Sequence, residues 1–446
     1  MGMTTSYLPY DPQQQMLLPH ALQEWLPEGH LAYYISDTVD ELDLSAFHAR
    51  YTGGGPRNQP FHPAMMVKVL LYAYATGVFS SRKIARKLHE DVAFRVLGAG
   101  NFPKHRTLCD FRALHLQELA ALFAQVVRLA RECGLVKLGT IAVDGTKVKA
   151  SASRHKAMSY RRMLESEAQL TQQVAELLDK ARATDATERN EPELDIPAEI
   201  ARREERLEVI RAARERLESR QRELDAAKGR SEKDERIPRD KDGKPKGRNG
   251  NRYKRDFGVP EDKAQENFTD PDSRIMKGSG GGFDQCYNRH TAVDAHAQII
   301  VAAELTNQGP DNDRLPVLLQ AVHNTLGAAP EIALADAGFR AEQIFDELAS
   351  HPTEIIVALG KEGRDKAKID PSRYPRTVAM ADKLASQRGK AAYGRRKAIV
   401  EPPNGWIKHV LGFRQFSMRG LSKVRAEWKL VCAALNLRRM GSLCTG

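Results

Sequence analysis

The sequence predicts an α/β protein with a mixed sheet, preceded by an all-α N-terminal domain and interrupted by a helical insertion. Three observations carry this. Residues 1–136 place their apolar side chains at helical spacing; the chain then turns to short β-branched runs alternating with helical patterns; and a charged, heptad-like stretch separates the first of those runs from the rest.

The N-terminal part reads as helices in series. In PFHPAMMVKVLLYAYATGVFS, Met66, Val67, Leu70, Leu71 and Tyr74 fall at helical spacing, with Pro63 near the start and Gly77 near the end. SSRKIARKLHED follows as a short helix. Ser80 or Ser81 fits its N-cap, Ile84 and Leu88 form an apolar pair, and Arg82, Lys83, Arg86 and Lys87 occupy the other faces. Two helices joined by a tight turn, the second basic, have the outline of a helix-turn-helix, which makes these cations candidate DNA contacts. An ordinary solvated basic face has the same pattern; the charge of the whole chain favours DNA. A further helix runs from about Leu108 to Cys133 and stops at Gly134.

The period changes at residue 137. KLGTIAVDGTKVKASAS holds an apolar run ending in Asp144 and Gly145, a turn pair. RHTAVDA and QIIVAAEL read as two strands joined by a turn, and EIALADAGF and EIIVALG as two more, with helices such as NDRLPVLLQAVHNTLG between. The strand-bearing domain is expected over 137–155 and 283–446. Residues 156–228 interrupt it as a helical hairpin, with EPELDIP between its arms. Ile200 and Leu207 lie seven apart, as do Ile210, Leu217 and Leu224, a heptad-like seam that serves association with another chain or closes the hairpin on itself. Residues 229–282, with KDGKPKGRNGNRYKRD and KGSGGG, read as a basic flexible linker.

Bulk properties narrow the function. The formal charge of +11 and a sequence pI near 9.3 favour a polyanionic partner, because cations that neutralise phosphates release condensed counterions. The five cysteines are scattered and form no C-x-x-C pair, which argues against zinc and a disulfide framework and for a reducing interior. The first residues, MGMTTSYLPYDPQQQ, lack the apolar run of a signal peptide, and no stretch approaches the roughly 20 residues that span a bilayer. A cytoplasmic protein without membrane contact is expected. GSGGG lacks the Lys-Ser/Thr of a phosphate-binding loop.

Three acidic residues stand out by context. Asp144 and Asp336 each end an apolar run and precede glycine or Ala-Gly, the place where ligands collect in open α/β sheets. Glu401 follows the basic stretch GRRKAIV. Carboxylates suit magnesium, although a single Asp after a strand is more often a turn residue. Asp294 reads as a hairpin-turn residue, Asp311 and Asp313 as N-caps of the next helix, His290 and His296 as lacking partners for a zinc set, and Trp406 and Trp428 as core.

Matching blocks in order resolve the choice. PFHPAMMVKVLLYAYATGVFSSRKIARKLHEDVAFRVL and RTLCDFRALH, then AVDGTKVKASAS, ALADAGFRAEQ and EPPNGWIKHVLGFRQFSMRGLSKVRAEWKLVCAALNLRRM, resemble a bacterial insertion-sequence transposase of the DDE type, close to the insertion sequence 1182 family, in the superfamily with a Tyr-Arg-Glu-Lys signature. The resemblance implies an RNase H-like catalytic fold over 137–155 and 283–446, a DNA-binding domain over 1–136, and cleavage and strand transfer of double-stranded DNA. It assigns Asp144, Asp336 and Glu401 as catalytic residues holding two Mg2+ or Mn2+ ions. A homodimer in the DNA complex and association with the bacterial nucleoid go with that reading. Lys408 stands seven residues after Glu401, as in the signature, whereas Arg396 precedes Glu401 by five residues where the signature has four, and Lys397 holds that position. Arg396, Lys397 and Lys408 are therefore all expected as phosphate contacts, with no single partner chosen for Tyr393. The alternatives are an RNase H-like nuclease without integration and a non-catalytic transposase-derived DNA-binding protein.

Overall fold

The computed structural model describes residues 21–51, 59–187, 196–232, 255–278, 281–360 and 369–444. The opening MGMTTSYLPYDPQQQ, most of EPELDIP and most of the KDGKPKGRNGNRYKRD stretch lie outside the described residues. The chain divides into two compact units: residues up to 136 with 405–412 and 430–446, and residues 137–404 with 413–429.

The first unit is helical in every described element. Helices α1 (Leu31–Asp40), α2 (Ser45–His48), α3 (Pro63–Ala75), α4 (Ser81–Glu90), α5 (Val92–Leu97), α6 (His105–Leu114) and α7 (Leu116–Glu132) follow one another. Nearly all of α3 is buried, as its almost continuous apolar sequence requires. It ends where Gly77 takes φ +79°; a β-carbon there would also stand 2.7 Å from the carbonyl oxygen of Leu411, so only glycine fits. Arg112 of α6 is buried and donates to the Tyr74 hydroxyl at 2.8 Å and the Ser81 hydroxyl at 2.6 Å, fastening α6 to the start of α4. Ser81 is thus engaged in packing, and the N-cap of α4 is Ser80 without a side-chain cap bond.

Residues 405–412 and 430–446, expected in the strand-bearing domain, belong to this helical unit. The reason is the apolar second half of α15 (Leu421–Cys444), where Leu437 and Met440 are buried, Arg438 donates to the Ala75 carbonyl at 2.9 Å and Gly441 lies against the Tyr34 ring.

The second unit is built on a mixed six-stranded sheet. Its strands are β1 (Thr140–Lys149), β4 (Arg274–Lys277), β5 (Phe283–Asp294), β6 (Ile300–Thr306), β7 (Ile332–Ala335) and β8 (Glu354–Val357), in the order β4-β5-β1-β7-β8, with β6 also paired to β5; β2 (Ala157–Ser159) and β3 (Gln265–Asn267) form a separate two-stranded sheet. β1 runs antiparallel to β5 and parallel to β7, and β7 runs parallel to β8. Ile141, Ala142 and Val143 of β1 are fully buried, as are Ala333, Leu334 and Ala335 of β7. Helix α10 (Leu315–Leu326) covers β6 with buried Leu318, Leu319 and Val322. Helices α11 (Glu342–Glu347), α12 (Pro375–Ala385), α13 (Gln387–Gly394) and α14 (Arg396–Gly405) complete the order.

Two expectations need correction here. Asp144 and Gly145 make no turn: β1 continues to Lys149 because residues 141–149 all find partners on β5. The stretch 229–282 is not a linker throughout. It holds β3 and β4, and Glu266 of β3, almost wholly buried, pairs with Arg216 at 2.6 Å and with Arg220. Those arginines stand on α9 (Ile196–Ala227), which packs antiparallel on α8 (Tyr160–Thr187). Leu207, Ile210 and Leu217 of the heptad-like seam are buried with Tyr160, Met163 and Leu170, so the seam closes the hairpin on itself. Leu224, the next position in the pattern, is exposed.

Candidate active site

The pairing of β1 with its two neighbours is unequal, and this creates a fork. β1 pairs with β7 only from Thr140 to Ala142, whereas it follows β5 to Lys149. Past Ala142 the parallel strands separate. Asp144 lies just beyond that point on β1, and Asp336 directly follows β7. Asp336 also uses Oδ1 to accept the Gly338 amide at 2.9 Å, capping the turn that ends its strand.

One cation joins the two carboxylates. Nη2 of Arg396, on α14, lies 3.6 Å from Asp144 Oδ1 and 3.2 Å from Asp336 Oδ2, and the arginine is only 8% exposed. Asn404, at the other end of α14, donates to Asp144 Oδ2 at 3.1 Å. Its own oxygen accepts from Arg289 Nη1 at 2.7 Å, and that guanidinium lies over the buried Trp428 ring at 4.6 Å from its centroid. A chain of contacts thus fixes Asp144 from the core outward: Trp428, Arg289, Asn404, Asp144.

Residues alternate between sheet faces along a strand, so the neighbours of Asp144 point the other way. On that opposite face Asp311 fills the fork. Its Oδ1 accepts from His290 Nε2 at 2.9 Å and from the Asn288 amide, and its Oδ2 pairs with Lys147 at 3.3 Å. The room for it comes from two glycines. A β-carbon on Gly145 would lie 3.1 Å from the Asp311 carboxyl carbon, and one on Gly338 would lie 3.3 Å from Oδ2. Asp311 is therefore no N-cap: Arg314 holds that position on α10, and Asp313 pairs with Arg314. Asp294 gives its carboxylate to the amides of Leu138 and His296, both at 2.9 Å, a structural role.

The electrostatics follow from burial and these partners. Burial pushes the Asp144 carboxyl above the usual aspartate range; Arg396 opposes the shift and Asp336 adds to it. For Asp311 burial also raises the pKa, but hydrogen bonds from His290 and Asn288 and the charge of Lys147 outweigh it and bring it down to about 2. Among the described residues no three His, Cys, Asp or Glu side chains stand together as a metal-binding group. The pair Asp144 and Asp336 nevertheless fits a hard divalent cation in charge and donor type, since these two carboxylates already share one cationic group.

Glu401 is exposed on α14. With about 100° per residue, it stands about 140° around the helix from Arg396, which explains why it does not share the arginine's contacts. Lys397 is exposed and Tyr393 half-buried, so the guanidinium of Arg396 rather than the Lys397 ammonium reaches the carboxylates. Pro402 and Pro403 lie inside α14 and a π-helical turn, Trp406–Val410, follows; Lys408 stands on that turn. The helical donor that Pro402 lacks is replaced by Gln298 Nε2, which reaches the Ala398 carbonyl at 2.9 Å. On α4, Arg82, Lys83 and Arg86 are exposed, Arg86 pairs with Glu90 at 3.4 Å and Lys87 with Asp91 at 3.2 Å. Trp406, expected in the core, is 41% exposed with the Arg438 guanidinium over its ring. Asn404, Arg289 and Asp311 are the site residues that the sequence did not single out for the chemistry.

The fold is α/β, and two aspartates with an arginine between them gather where its parallel strands part, the position at which open α/β sheets place their ligands. Comparison with known families is more specific. Residues 256–437 match the family described as Transposase DDE domain, and residues 20–114 match Transposase domain (DUF772). The chain thus carries a DDE transposase domain match in its second half and a second transposase domain match near its start. The DDE match contains Asp336 and Glu401 and begins after Asp144. Neither the curated proteins nor the solved structures compared with the chain gave a match.

Proposed function

We propose that the chain is an active transposase of the insertion sequence 1182 type, with an RNase H-like catalytic domain, that cleaves DNA at the ends of its element and joins the freed 3′-hydroxyl to target DNA. The observation that carries this reading is the meeting of Asp144 and Asp336 across one guanidinium at the fork of two parallel strands, in a chain whose second half matches the DDE transposase domain.

In this reading Asp144 and Asp336, with Glu401 as the third carboxylate, hold Mg2+ or Mn2+, two ions in all. Such ions, when bound, activate an attacking water or 3′-hydroxyl and stabilise the leaving oxygen. The chain's own groups position the reaction. Asn404 holds one oxygen of Asp144 and leaves the other facing Arg396. Arg396 is planar and many-handed, suited to gripping a phosphate in two places, and Lys397 and Lys408 supply further phosphate contacts. The helices up to residue 136 bind the element ends, with Arg82, Lys83, Arg86 and Lys87 on α4 toward the DNA, and two copies of the chain act in the complex at the bacterial nucleoid.

The test is incubation of the purified protein with Mg2+ and duplex DNA carrying the sequences that flank its coding region. The expected result is a cut at the element end and, with target duplex added, a joined product. Asp144→Asn should bind the ends and reduce cleavage to background; normal cutting by that variant would remove Asp144 from the chemistry. Cleavage without joining would identify a nuclease, and binding without either a DNA-binding protein.

A further inference from the structure

We infer that Asp311 is a positioning residue of this site: a fixed negative charge, wedged behind the fork, that strengthens cation binding by Asp144 and Asp336 without being one of their number. The inference rests on the reading of those two carboxylates as the cation-binding pair.

Four features of the molecule point to it. First, the Asp311 carboxylate is immobilised from two paired strands, by His290 and Asn288 of β5 and by Lys147 of β1. Second, the fork is shaped around it, because Gly145 and Gly338, which follow the two site aspartates by one and two residues, both leave out the β-carbon that would press on its carboxyl group. Third, the partners show what charge state the pocket is built for. His290 is 1% exposed, and among the described residues its Nδ1 has no hydrogen-bond partner. An unmatched lone pair is cheaper to bury than an unmatched donor, so Nδ1 is the unprotonated nitrogen and Nε2–H is donated to Asp311. Fourth, both oxygens of Asp311 are already engaged within the protein, so it acts through its field rather than as a ligand. Three carboxylates at one fork repel each other, and this repulsion makes the site attractive to added positive charge.

This role has a signature that a merely structural one lacks. Asp311→Asn keeps the size and the acceptor for His290 and removes the charge; Lys147→Gln keeps the carboxylate and removes its neutralising cation. Both substitutions break the same ion pair, so both loosen the wedge alike. Mn2+ binding to the purified protein, followed by electron paramagnetic resonance and calorimetry with thermal melts alongside, separates the two roles. Asp311→Asn should weaken Mn2+ binding about 10-fold, in the range of groups that tune a metal site without ligating it, and Lys147→Gln should strengthen it. Equal weakening by both variants, or no change in either, overturns the inference. If Asp311→Asn does not fold, Lys147→Gln decides alone: tighter binding supports the fixed charge and unchanged binding removes it. Asp144→Asn is the control for the underlying reading. Loss of Mn2+ in that control with wild-type binding in Asp311→Asn overturns the role of Asp311 only; wild-type binding in Asp144→Asn overturns both.

Discussion

At the scale of single residues, Asp144 sits where burial outweighs its cation. Its folded pKa is raised, so the folded chain holds that proton more readily than the unfolded chain does. The stability tied to this group is fully present below the ordinary aspartate range and is lost as pH rises through the raised value. Asp144→Asn removes that charge. Its melting temperature should exceed that of the parent at about pH 8, and the difference should close toward about pH 4. A difference independent of pH would show that burial of the charge is not the governing cause. Asn404 acts on the same carboxylate by geometry. On the proposed role of Asp144, Asn404→Ala should lower the cleavage rate about 10- to 100-fold with the melting temperature little changed. Asp144 and Asp336 were legible as candidates because each ends an apolar run before a small residue. Asn404 was not: the bond that gives it meaning crosses 260 positions of sequence, and nothing local distinguishes it from a turn residue. The same holds for Asp311, whose local context in GPDNDRL suggests a helix cap while its partners come from β1 and β5.

At the scale of elements, the α8–α9 hairpin and the fork show how far periodicity carries. A heptad-like pattern states that one face of a helix is buried but not against what. Here Leu207, Ile210 and Leu217 meet α8, with Val259, Ala264 and Phe268 packed on the same cluster. The cluster is small, so each member counts. Ile210→Ala should cost about 2–5 kcal/mol locally, read as faster amide hydrogen exchange along α8 and α9. Protection unchanged in both helices would mean that the seam does not hold the hairpin. The fork was partly readable. The runs that became β1 and β7 announce strands, yet the unequal pairing of β1 with β5 and β7 arises only once three distant segments meet.

At the scale of the whole molecule, the positive balance of +11 fits a partner that is a polyanion. If six to ten phosphates are contacted, affinity for duplex DNA should fall about 10³- to 10⁵-fold between roughly 50 and 200 mM salt. A binding curve flat in salt would exclude the basic surfaces as the source of affinity. The helical character of the described residues up to 136 and the α/β character of the strand-bearing region beyond them were visible in the period of apolar residues. The assignment of 405–412 and 430–446 to the helical unit was not, because α15 buries apolar residues in both halves, Val424 and Trp428 in one and Leu437 and Met440 in the other, and sequence alone does not say which core takes which half.

The prolines at 402 and 403 give α14 an uneven stiffness. A helix resists bending through its ladder of amide-to-carbonyl bonds, and two successive residues without an amide hydrogen remove rungs from that ladder just after Glu401. Arg396 and Lys397 stand on the first turn, away from the prolines, while Glu401 stands directly beside them. Bending the rod at the missing rungs should therefore re-aim the Glu401 carboxylate at less backbone cost than moving Arg396 or Lys397.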